Sequence, residues 1–277
     1  MLAFLIGLIF GSFFNTLIYR LEKGEGFLFG KSKCPKCNHP LSFLDLIPII
    51  SYLFLKGKCR YCKEKISLFY PISEFLTGIL FLSFYLRFKF LFENFNFKIQ
   101  AILPFLYYFS FLIILYLLAV YDFRTKNIPA ILVFFGFLIW ILFFIISFFY
   151  KFPKISFLDT INSFFDFSIK SLPFYFENLD FVLNFLIAVL FLLASFIGLV
   201  GEGDFLVILF IGLFLKTPEL LFSIFLAGFL GSLYSLPFIF LKKYNLKSEI
   251  PFVPFLFLSN WFIICFGNEI SKIIFKI

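Results

Sequence analysis

The chain has 277 residues, of which 62% are hydrophobic and only 14% are charged. A soluble globular domain carries about 25% charged residues and about half apolar ones, so this composition excludes a water-soluble fold and predicts several membrane crossings. The net charge of +8 comes from basic residues beside hydrophobic segments. We therefore attribute the charge to membrane topology and expect a lipid bilayer, and no nucleic acid, as its partner.

The apolar segments predict a bundle of membrane helices. Those long enough to cross the hydrocarbon core, which takes roughly 20 residues, are 2–19, 71–88, 101–121, 130–150, 181–199, 219–241 and 250–267. An eighth segment, 205–215, reaches only about 17 Å as a helix. We expect it to cross as well, because otherwise Lys242, Lys243 and Lys247 would lie outside, against the positive-inside trend. The predicted fold class is all-α, a polytopic transmembrane bundle of about eight spans with both termini outside.

Residues 20–70 separate the first two spans and have a basic composition, with ten lysines and arginines against four acidic residues. That excess of positive charge predicts a cytoplasmic location. By alternation the turns 122–129 and 201–204 also face the cytoplasm, and 151–180 lies outside. The predicted domains are a retained first span (1–19), a cytoplasmic module (20–70) and a transmembrane domain (71–277).

Four cysteines in the module form two Cys-x2-Cys pairs, namely Cys34, Cys37, Cys59 and Cys62. Two such pairs supply four thiolates to one tetrahedral zinc ion and leave no position for water, which predicts a structural zinc site. Disulfides and a redox pair are the alternatives; a reducing cytosol disfavours the first, and the presence of two pairs disfavours the second. We expect His39 to be a solvated loop residue, and Cys265 to be a buried apolar residue of the last span.

Two acidic residues, Asp122 and Asp204, lie at the predicted cytoplasmic ends of spans, where ionisable residues are functional candidates. Two carboxylates held close together share one proton, so one can accept a proton from water while the other protonates the carbonyl or the leaving amine. This pattern predicts an aspartyl protease. Gly201 and Gly203 would allow close approach of helices and substrate. A helix-end charge at Asp122 and a plain turn and cap around Asp204 are the alternatives.

Taken together, these residues resemble the prepilin peptidases, or type IV leader peptidases. The resemblance lies in these motifs: Gly11-Ser12-Phe13-Phe14-Asn15, Tyr19-Arg20, the cysteine pairs flanking Ile47-Pro48 and Ser51-Tyr52, Gly57-Lys58-Cys59-Arg60, Tyr70-Pro71 with Glu74, Asp122 with Ile128-Pro129, and Gly201-Glu202-Gly203-Asp204. It implies a bacterial inner-membrane enzyme that cleaves the basic leader of type IV prepilins or pseudopilins at the cytoplasmic face. It also implies N-methylation of the new terminus with S-adenosylmethionine, with Asp122 and Asp204 as catalytic residues and the four cysteines as zinc ligands.

Two positions depart from the pattern of that family. Many members have a lysine shortly after the second aspartate, where this chain has Phe205-Leu206-Val207, and Asn or Asp after Ile-Pro, where it has Ala130. No Rossmann glycine fingerprint occurs, so the sequence assigns no site to the methyl donor. We expect a basic leader to contact acidic residues, Glu202 with Glu74 or Asp45, while the lysines of the module bind anionic lipid. Capping of the second span by Glu74 is an equally open alternative.

Two other functions fit part of the pattern. An intramembrane protease of the presenilin or signal-peptide-peptidase kind shares Tyr-Asp and Gly-x-Gly-Asp, but it lacks a cysteine module, and no Pro-Ala-Leu motif occurs near the C-terminus of this chain. A transporter or scaffold with a zinc-stabilised loop would show inverted repeats and polar residues near mid-membrane. Here the acids lie at span ends, which favours the prepilin peptidase hypothesis.

Overall fold

The structure, a computed structural model, describes residues 1–25, 30, 32–95, 99–149, 178–198, 200–240 and 250–275, with side chains in these ranges except 90–95, 99–101, 147–149, 178–179, 239 and 267–275. Within these residues the regular structure is helical, and the only β-type pairings are two isolated bridges. The all-α prediction is confirmed for this part of the chain.

Nine α-helices follow one another in the described residues: α1 (Leu2–Lys23), α2 (Ile50–Phe54), α3 (Phe69–Phe95), α4 (Ile99–Thr125), α5 (Ala130–Phe149), α6 (Asn178–Phe196), α7 (Asp204–Phe214), α8 (Thr217–Phe240) and α9 (Val253–Phe275). A single-turn 3-10 helix covers Phe43–Asp45. Each of the eight predicted apolar segments corresponds to one of the long helices or to α7. The predicted outer segment 151–180 lies mostly outside the described residues, as do Lys242, Lys243 and Lys247.

Four helices in the described part of the chain are long and apolar enough to cross a membrane, namely Leu2–Lys23, Phe69–Lys89, Ile102–Thr125 and Thr217–Phe238. Four further apolar helices are shorter: Ala130–Ile146, Asp180–Phe196, Asp204–Phe214 and Val253–Phe266. This set of apolar helices is that of a multi-pass membrane protein. The bundle of eight spans stays a prediction, because the shorter helices fall below the length of an unaided crossing.

The chain divides into two compact units, Met1–Phe90 and Leu91–Ile277, so the division falls within α3. In the first unit, α1 packs closely on α3 through glycines. A Cβ added to Gly7 would lie 2.6 Å from the carbonyl oxygen of Thr77, and one added to Gly11 would lie 2.6 Å from Oγ1 of the same residue. Small residues four apart allow two membrane helices to approach until their backbones nearly touch.

Polar side chains continue the contact between α1 and α3. Buried Asn15 of α1 accepts a hydrogen bond from the hydroxyl of Ser73 at 2.9 Å and donates to the carbonyl of Tyr70 at 3.4 Å. A buried polar group is costly to leave without a partner, so these bonds fix which faces of the two helices meet.

In the second unit, α7 is the central helix. Val207, Ile208, Phe210 and Ile211 have no exposed surface, and α7 packs on α5, α6 and α8. Phe205, Leu206 and Leu209 are partly buried, and the rest of α7 is buried. A helix that is apolar all round and mostly buried is typical of a protein interior. The ring of Phe214 stacks on Tyr107 of α4 at a centroid distance of 4.8 Å. The shortest of the apolar helices is therefore the core of its unit.

Side chains of α6 and α8 satisfy the backbone where α7 ends. The Nδ2 amide of Asn184 donates to the carbonyls of Gly212 and Leu215 at 2.8 and 2.9 Å. The carboxylate of Asp180 in α6 accepts the backbone N–H of Thr217 at 3.3 Å and its hydroxyl at 2.7 Å, and Glu219 of α8 accepts the backbone N–H of Lys216 at 3.4 Å. Backbone groups at a helix end need such partners wherever water is excluded. The turn from α7 to α8 is thus equipped to lie in an apolar environment.

Candidate functional site

Asp122 lies in the last turn of α4, and its side chain is buried. One carboxylate oxygen, Oδ2, accepts a hydrogen bond from the backbone N–H of Val253 at 3.1 Å. Val253 is the first residue of α9, and α9 packs along α4. The N-terminal end of a helix carries partial positive charge and free N–H groups, so the start of α9 supplies a hydrogen-bond donor to the carboxylate.

Asp204 is the first residue of α7 and is also buried. Its Oδ2 accepts the backbone N–H of Gly201 at 3.2 Å, so the Gly-x-Gly-Asp turn closes on its own acidic residue. A Cβ added to Gly203 would lie 2.7 Å from the side chain of Ile128, in the loop that follows α4. The absence of a side chain at Gly203 therefore lets the loop after Asp122 pack directly on the turn before Asp204.

In the second unit the two acids are near enough for the charge of Asp122 to act on Asp204. Both are largely shielded from water, and each has one backbone N–H donor. Two buried carboxylates that repel each other hold one proton more easily than two negative charges. Such a pair can accept a proton from water at one carboxylate and donate a proton from the other.

Lys126 supplies a positive charge beside this pair. Its backbone N–H caps α4 by donating to the carbonyl of Asp122 at 2.7 Å, and its ammonium group interacts with the Asp122 carboxylate. The sequence lacks the lysine that many prepilin peptidases have after the second aspartate. In this chain a cation lies instead on the loop that follows the first one.

Gly201 and Glu202 are exposed at the turn before α7, whereas Glu74 is buried in α3 of the first unit. Glu74 accepts the backbone N–H of Ile49 at 2.8 Å, so it holds the residue before α2 and does not cap its own helix. Asp45 forms an ion pair with Arg60 at 2.6 Å and accepts the hydroxyl of Tyr61 at 3.1 Å. Of the acids proposed to meet a leader, Glu202 alone is exposed.

The four predicted zinc ligands form one cluster. The sulfur atoms of Cys34, Cys37, Cys59 and Cys62 all lie within 4.8 Å of one another, and those of Cys34 and Cys62 are 3.9 Å apart. Sulfur atoms each about 2.3 Å from one tetrahedral ion lie nearly 4 Å apart, so the donor set fits zinc. None of the four is in a disulfide. His39 is not part of the cluster; it is exposed and stacks on Tyr61 at a centroid distance of 3.7 Å.

The two halves of the cluster share one local fold. The N–H of Cys34 donates to the carbonyl of His39 while Asn38 donates back to Cys34, and Cys59, Glu64 and Lys63 repeat the same pattern. Asn38 and Lys63 both have positive φ, at 57° and 61°. A β-bridge closes each turn, Lys33 with Pro40 and Lys58 with Lys65. Two equivalent knuckles thus present two sulfur atoms each to a common point.

The surroundings of the cysteine cluster favour the thiolate form of Cys34 and disfavour that of Cys62. Although burial raises the pKa of the Cys34 thiol, backbone N–H donors at Cys37 and Lys36 and the neighbouring thiols lower it to about 7. The pKa of Cys62 is instead about 11: the N–H of Glu64 lowers it, but burial and the other three thiols raise it further. A bound cation would remove this competition by stabilising all four thiolates.

Sequence reasoning missed the backbone N–H of Val253. The signal for it was the pair Pro251 and Pro254, because proline marks the start of a helix and the end of the preceding loop. The sequence alone does not show that this helix start lies against Asp122, which is 131 residues earlier. Cys265 is buried in α9, as predicted.

Residues 5–88 match the bacterial peptidase A24 N-terminal domain family. A prepilin leader peptidase/N-methyltransferase of Klebsiella pneumoniae is 49% identical over 84 residues, which cover 28% of this chain and 37% of the relative. Proteins of the same description from Myxococcus xanthus and Bacillus subtilis are 40% identical over 90 residues (32% of this chain, 27% of the relative) and 41% identical over 87 residues (31% and 35%). No solved structure matches the chain significantly.

These matches confirm the predicted resemblance over the N-terminal region. The matched region spans only about a third of the length of the curated relatives. The family match contains the cysteine cluster and Glu74, whereas Asp122 and Asp204 lie beyond its last residue, 88. The family match therefore gives no information on Asp122 and Asp204, and their roles are inferred from the geometry of the second unit.

Proposed function

We propose that the chain is a membrane aspartyl endopeptidase that removes the basic leader from type IV prepilins or pseudopilins, in line with the match of residues 5–88 to the bacterial peptidase A24 N-terminal domain family. The observation that carries this proposal is the pair of buried, interacting carboxylates at the ends of α4 and α7, Asp122 and Asp204. The relatives are described as prepilin leader peptidases, and that description supports the class of substrate.

In the proposed mechanism the two acids divide the work of hydrolysis. Each acid accepts one backbone N–H near the start of a helix, but the charge of Lys126 also acts on Asp122, so we assign to Asp122 the role of the ionised carboxylate that takes a proton from the attacking water. Asp204 carries the shared proton and gives it to the carbonyl oxygen or to the leaving amine. A Cβ at Gly201 would lie 3.1 Å from Oδ2 of Asp204, so the absence of a side chain there leaves that carboxylate open to an extended substrate backbone, whereas Gly203 lets the loop with Ile128 pack on the turn.

Charge suggests how a basic leader meets the site. Glu202 is exposed one residue from Gly203 and two from Asp204, where a carboxylate can attract lysine or arginine side chains of the leader. Glu74 and Asp45 are already engaged with Ile49 and Arg60, so we assign leader contact to Glu202 first. This arrangement requires the acid pair to face the cytoplasm of a bacterial inner membrane, as the positive charge of the module favours.

The cysteine cluster would hold a structural zinc ion. When bound, zinc supplies folding free energy to a segment with little apolar core, and with four protein ligands it leaves no position for water. The relatives are also described as N-methyltransferases, so we propose that the chain methylates the new N-terminus with S-adenosylmethionine. That part rests on the relatives' description, and no residues of this chain are assigned to the methyl donor.

The test is mass spectrometry of a candidate prepilin with a basic leader, incubated with membranes that contain the chain, with and without S-adenosylmethionine. The proposal predicts a single cut at the leader junction in both incubations, and a gain of one methyl group only when the donor is present. A leader that stays attached under both conditions, for every prepilin and pseudopilin encoded with the chain, would refute the peptidase assignment. Cleavage without methylation would refute only the transferase part.

A further inference from the structure

An exposed apolar surface lies on the module between α1 and α3. It comprises Phe43 and Leu44 of the 3-10 helix and Ile50, Leu53 and Phe54 of α2, and the two elements contact each other. Phe43 and Phe54 are 83% and 84% exposed. Ile50 precedes Leu53 by three residues and Phe54 by four, so these three share one face of α2. Apolar patches of this kind on a polar segment mark a membrane or a partner.

A hydrogen bond fixes the depth of this apolar surface relative to a membrane helix. The carboxylate of Glu74 accepts the backbone N–H of Ile49, the residue directly before α2, at 2.8 Å. Glu74 is the sixth residue of α3, about 7–8 Å along the helix axis from Phe69 at 1.5 Å per residue. Because the candidate membrane span of α3 begins at Phe69, the start of α2 lies beside the first two turns of a span. That depth falls within the roughly 5–10 Å to which interfacial segments bury their apolar face.

The charged residues around the apolar surface indicate which kind of partner it binds. Lys56 and Lys58 follow α2 directly and are exposed, and a β-bridge places Lys65, also exposed, beside Lys58. The acid nearest to the surface in sequence, Asp45, is already paired with Arg60 at 2.6 Å. Exposed phenylalanine and leucine bordered by lysine are typical of segments that lie in the interface of an anionic membrane.

We propose that the apolar surface docks the module onto the bilayer that α1 and α3 cross. The five apolar side chains enter the boundary between headgroups and acyl chains, and the lysines meet anionic phosphates. The partner of this apolar surface is therefore lipid rather than another protein. Docking would hold the cysteine cluster at a constant distance from the membrane, which short loops alone would not ensure. This proposal does not depend on peptidase activity.

The test is fluorescence quenching in the full-length chain, reconstituted in bilayers. Phe54→Trp is made in a background where Trp140 and Trp261, the two tryptophans of the chain, are replaced by phenylalanine. We expect lipids brominated high on the acyl chain to quench the introduced indole strongly and aqueous acrylamide to quench it weakly. Quenching by brominated lipid should be stronger in bilayers that contain phosphatidylglycerol than in zwitterionic bilayers.

The matched control is Lys36→Trp in the same background, because Lys36 is an exposed residue in the turn between Cys34 and Cys37. It should be quenched by acrylamide and hardly by brominated lipid. For the Phe54→Trp variant, quenching by acrylamide alone would overturn the proposal. Protection from both quenchers would also overturn it, because a protein segment would then cover the surface. Leu53→Trp gives a second probe on the same face if Phe54→Trp does not accumulate.

Discussion

The two units of the chain position their reactive side chains in different ways. In Met1–Phe90, four thiols lie on two short turns outside the long helices, and their repeated backbone hydrogen bonds shape each turn locally. In Leu91–Ile277, two carboxylates lie at helix ends, and residues distant in sequence hold them: Val253 for Asp122, and Ile128 against Gly203 for Asp204. A metal site can be assembled from local turns because the ion supplies free energy, whereas an acid pair needs a preorganised helical scaffold.

That difference predicts which property each kind of substitution changes. Substitutions in the cysteine cluster should change metal content and leave the scaffold of the second unit intact. Substitutions around the acid pair should change cleavage and leave the metal in place.

The largest expected effect is the loss of zinc from a cysteine variant. Cys59→Ser replaces a buried sulfur ligand with a hydroxyl that is not deprotonated at neutral pH, so we expect zinc to fall from about one ion per chain to almost none. Elemental analysis of the purified protein measures this. Cys265→Ser is the matched control, since Cys265 is also a buried cysteine but lies in α9. Full zinc content in Cys59→Ser would contradict the four-cysteine site.

The next effect concerns the backbone donor to Asp122. Proline fits the first position of a helix but has no N–H, so Val253→Pro should remove the donor while keeping the helix start. A hydrogen bond to a charged group contributes about 1.5–3 kcal/mol, so cleavage should fall roughly 10- to 100-fold. The acidic limb of the pH–activity profile should move to higher pH, because the ionised carboxylate has lost a donor.

The control for this variant is Val253→Ala, which keeps the N–H and should retain activity and the wild-type pH profile. Equal losses in the proline and alanine variants would mean that packing of the Val253 side chain, rather than its N–H, is what matters. An unchanged pH profile in Val253→Pro would show that the N–H of Val253 does not influence the ionisation of the acid pair.

A smaller effect is expected where the two loops of the second unit meet. Gly203 has a φ of −87°, which alanine adopts without strain, so Gly203→Ala tests only the contact with Ile128. Overpacking costs about 1–3 kcal/mol of folding free energy. We expect cleavage to fall severalfold, because the turn that holds Asp204 must shift to make room for the added methyl group. Gly228→Ala is the control, because a Cβ there meets no atom within 4 Å. Equal activity in both variants would contradict the close approach of the loops.

The smallest effect is on stability at the far end of α7. Asn184→Ala leaves the carbonyls of Gly212 and Leu215 without their side-chain donor and should lower the free energy of unfolding by about 1–2 kcal/mol. Thermal unfolding in detergent measures it. Ser195→Ala, which removes a hydroxyl bonded within the same helix to Leu192, should have less effect. A lower melting temperature for Ser195→Ala than for Asn184→Ala would contradict this role.

The sequence predicted the helices and the cysteine cluster well, because both depend on local patterns. Apolar runs of about 20 residues mark membrane helices, and two Cys-x2-Cys pairs have few other uses. The short segment 205–215 was harder, because a helix buried within a bundle and a short span have the same composition. Its role as the core of the second unit became visible only through its contacts with α4, α5, α6 and α8.

Contacts that join distant parts of the chain could not be predicted. The sequence identified Asp122 and Asp204 but not Val253, since nothing in it indicates which helix start lies against which acid. Glu74 and Asp45 were predicted as leader contacts because they are acidic, but burial and hydrogen bonding decide which acids are accessible. The glycines Gly7 and Gly11 carried a recognisable spacing for close helix contact that the prediction did not use.

The central claim is that Asp122 and Asp204 act as one pair. The most direct test compares cleavage of a basic-leader prepilin by Asp122→Asn, Asp204→Asn and the double variant, each purified with wild-type zinc content. The account predicts that each single variant loses cleavage as completely as the double variant, while thermal unfolding and zinc remain unchanged, because one carboxylate cannot both accept and donate the proton. Substantial cleavage by either single variant would contradict the account.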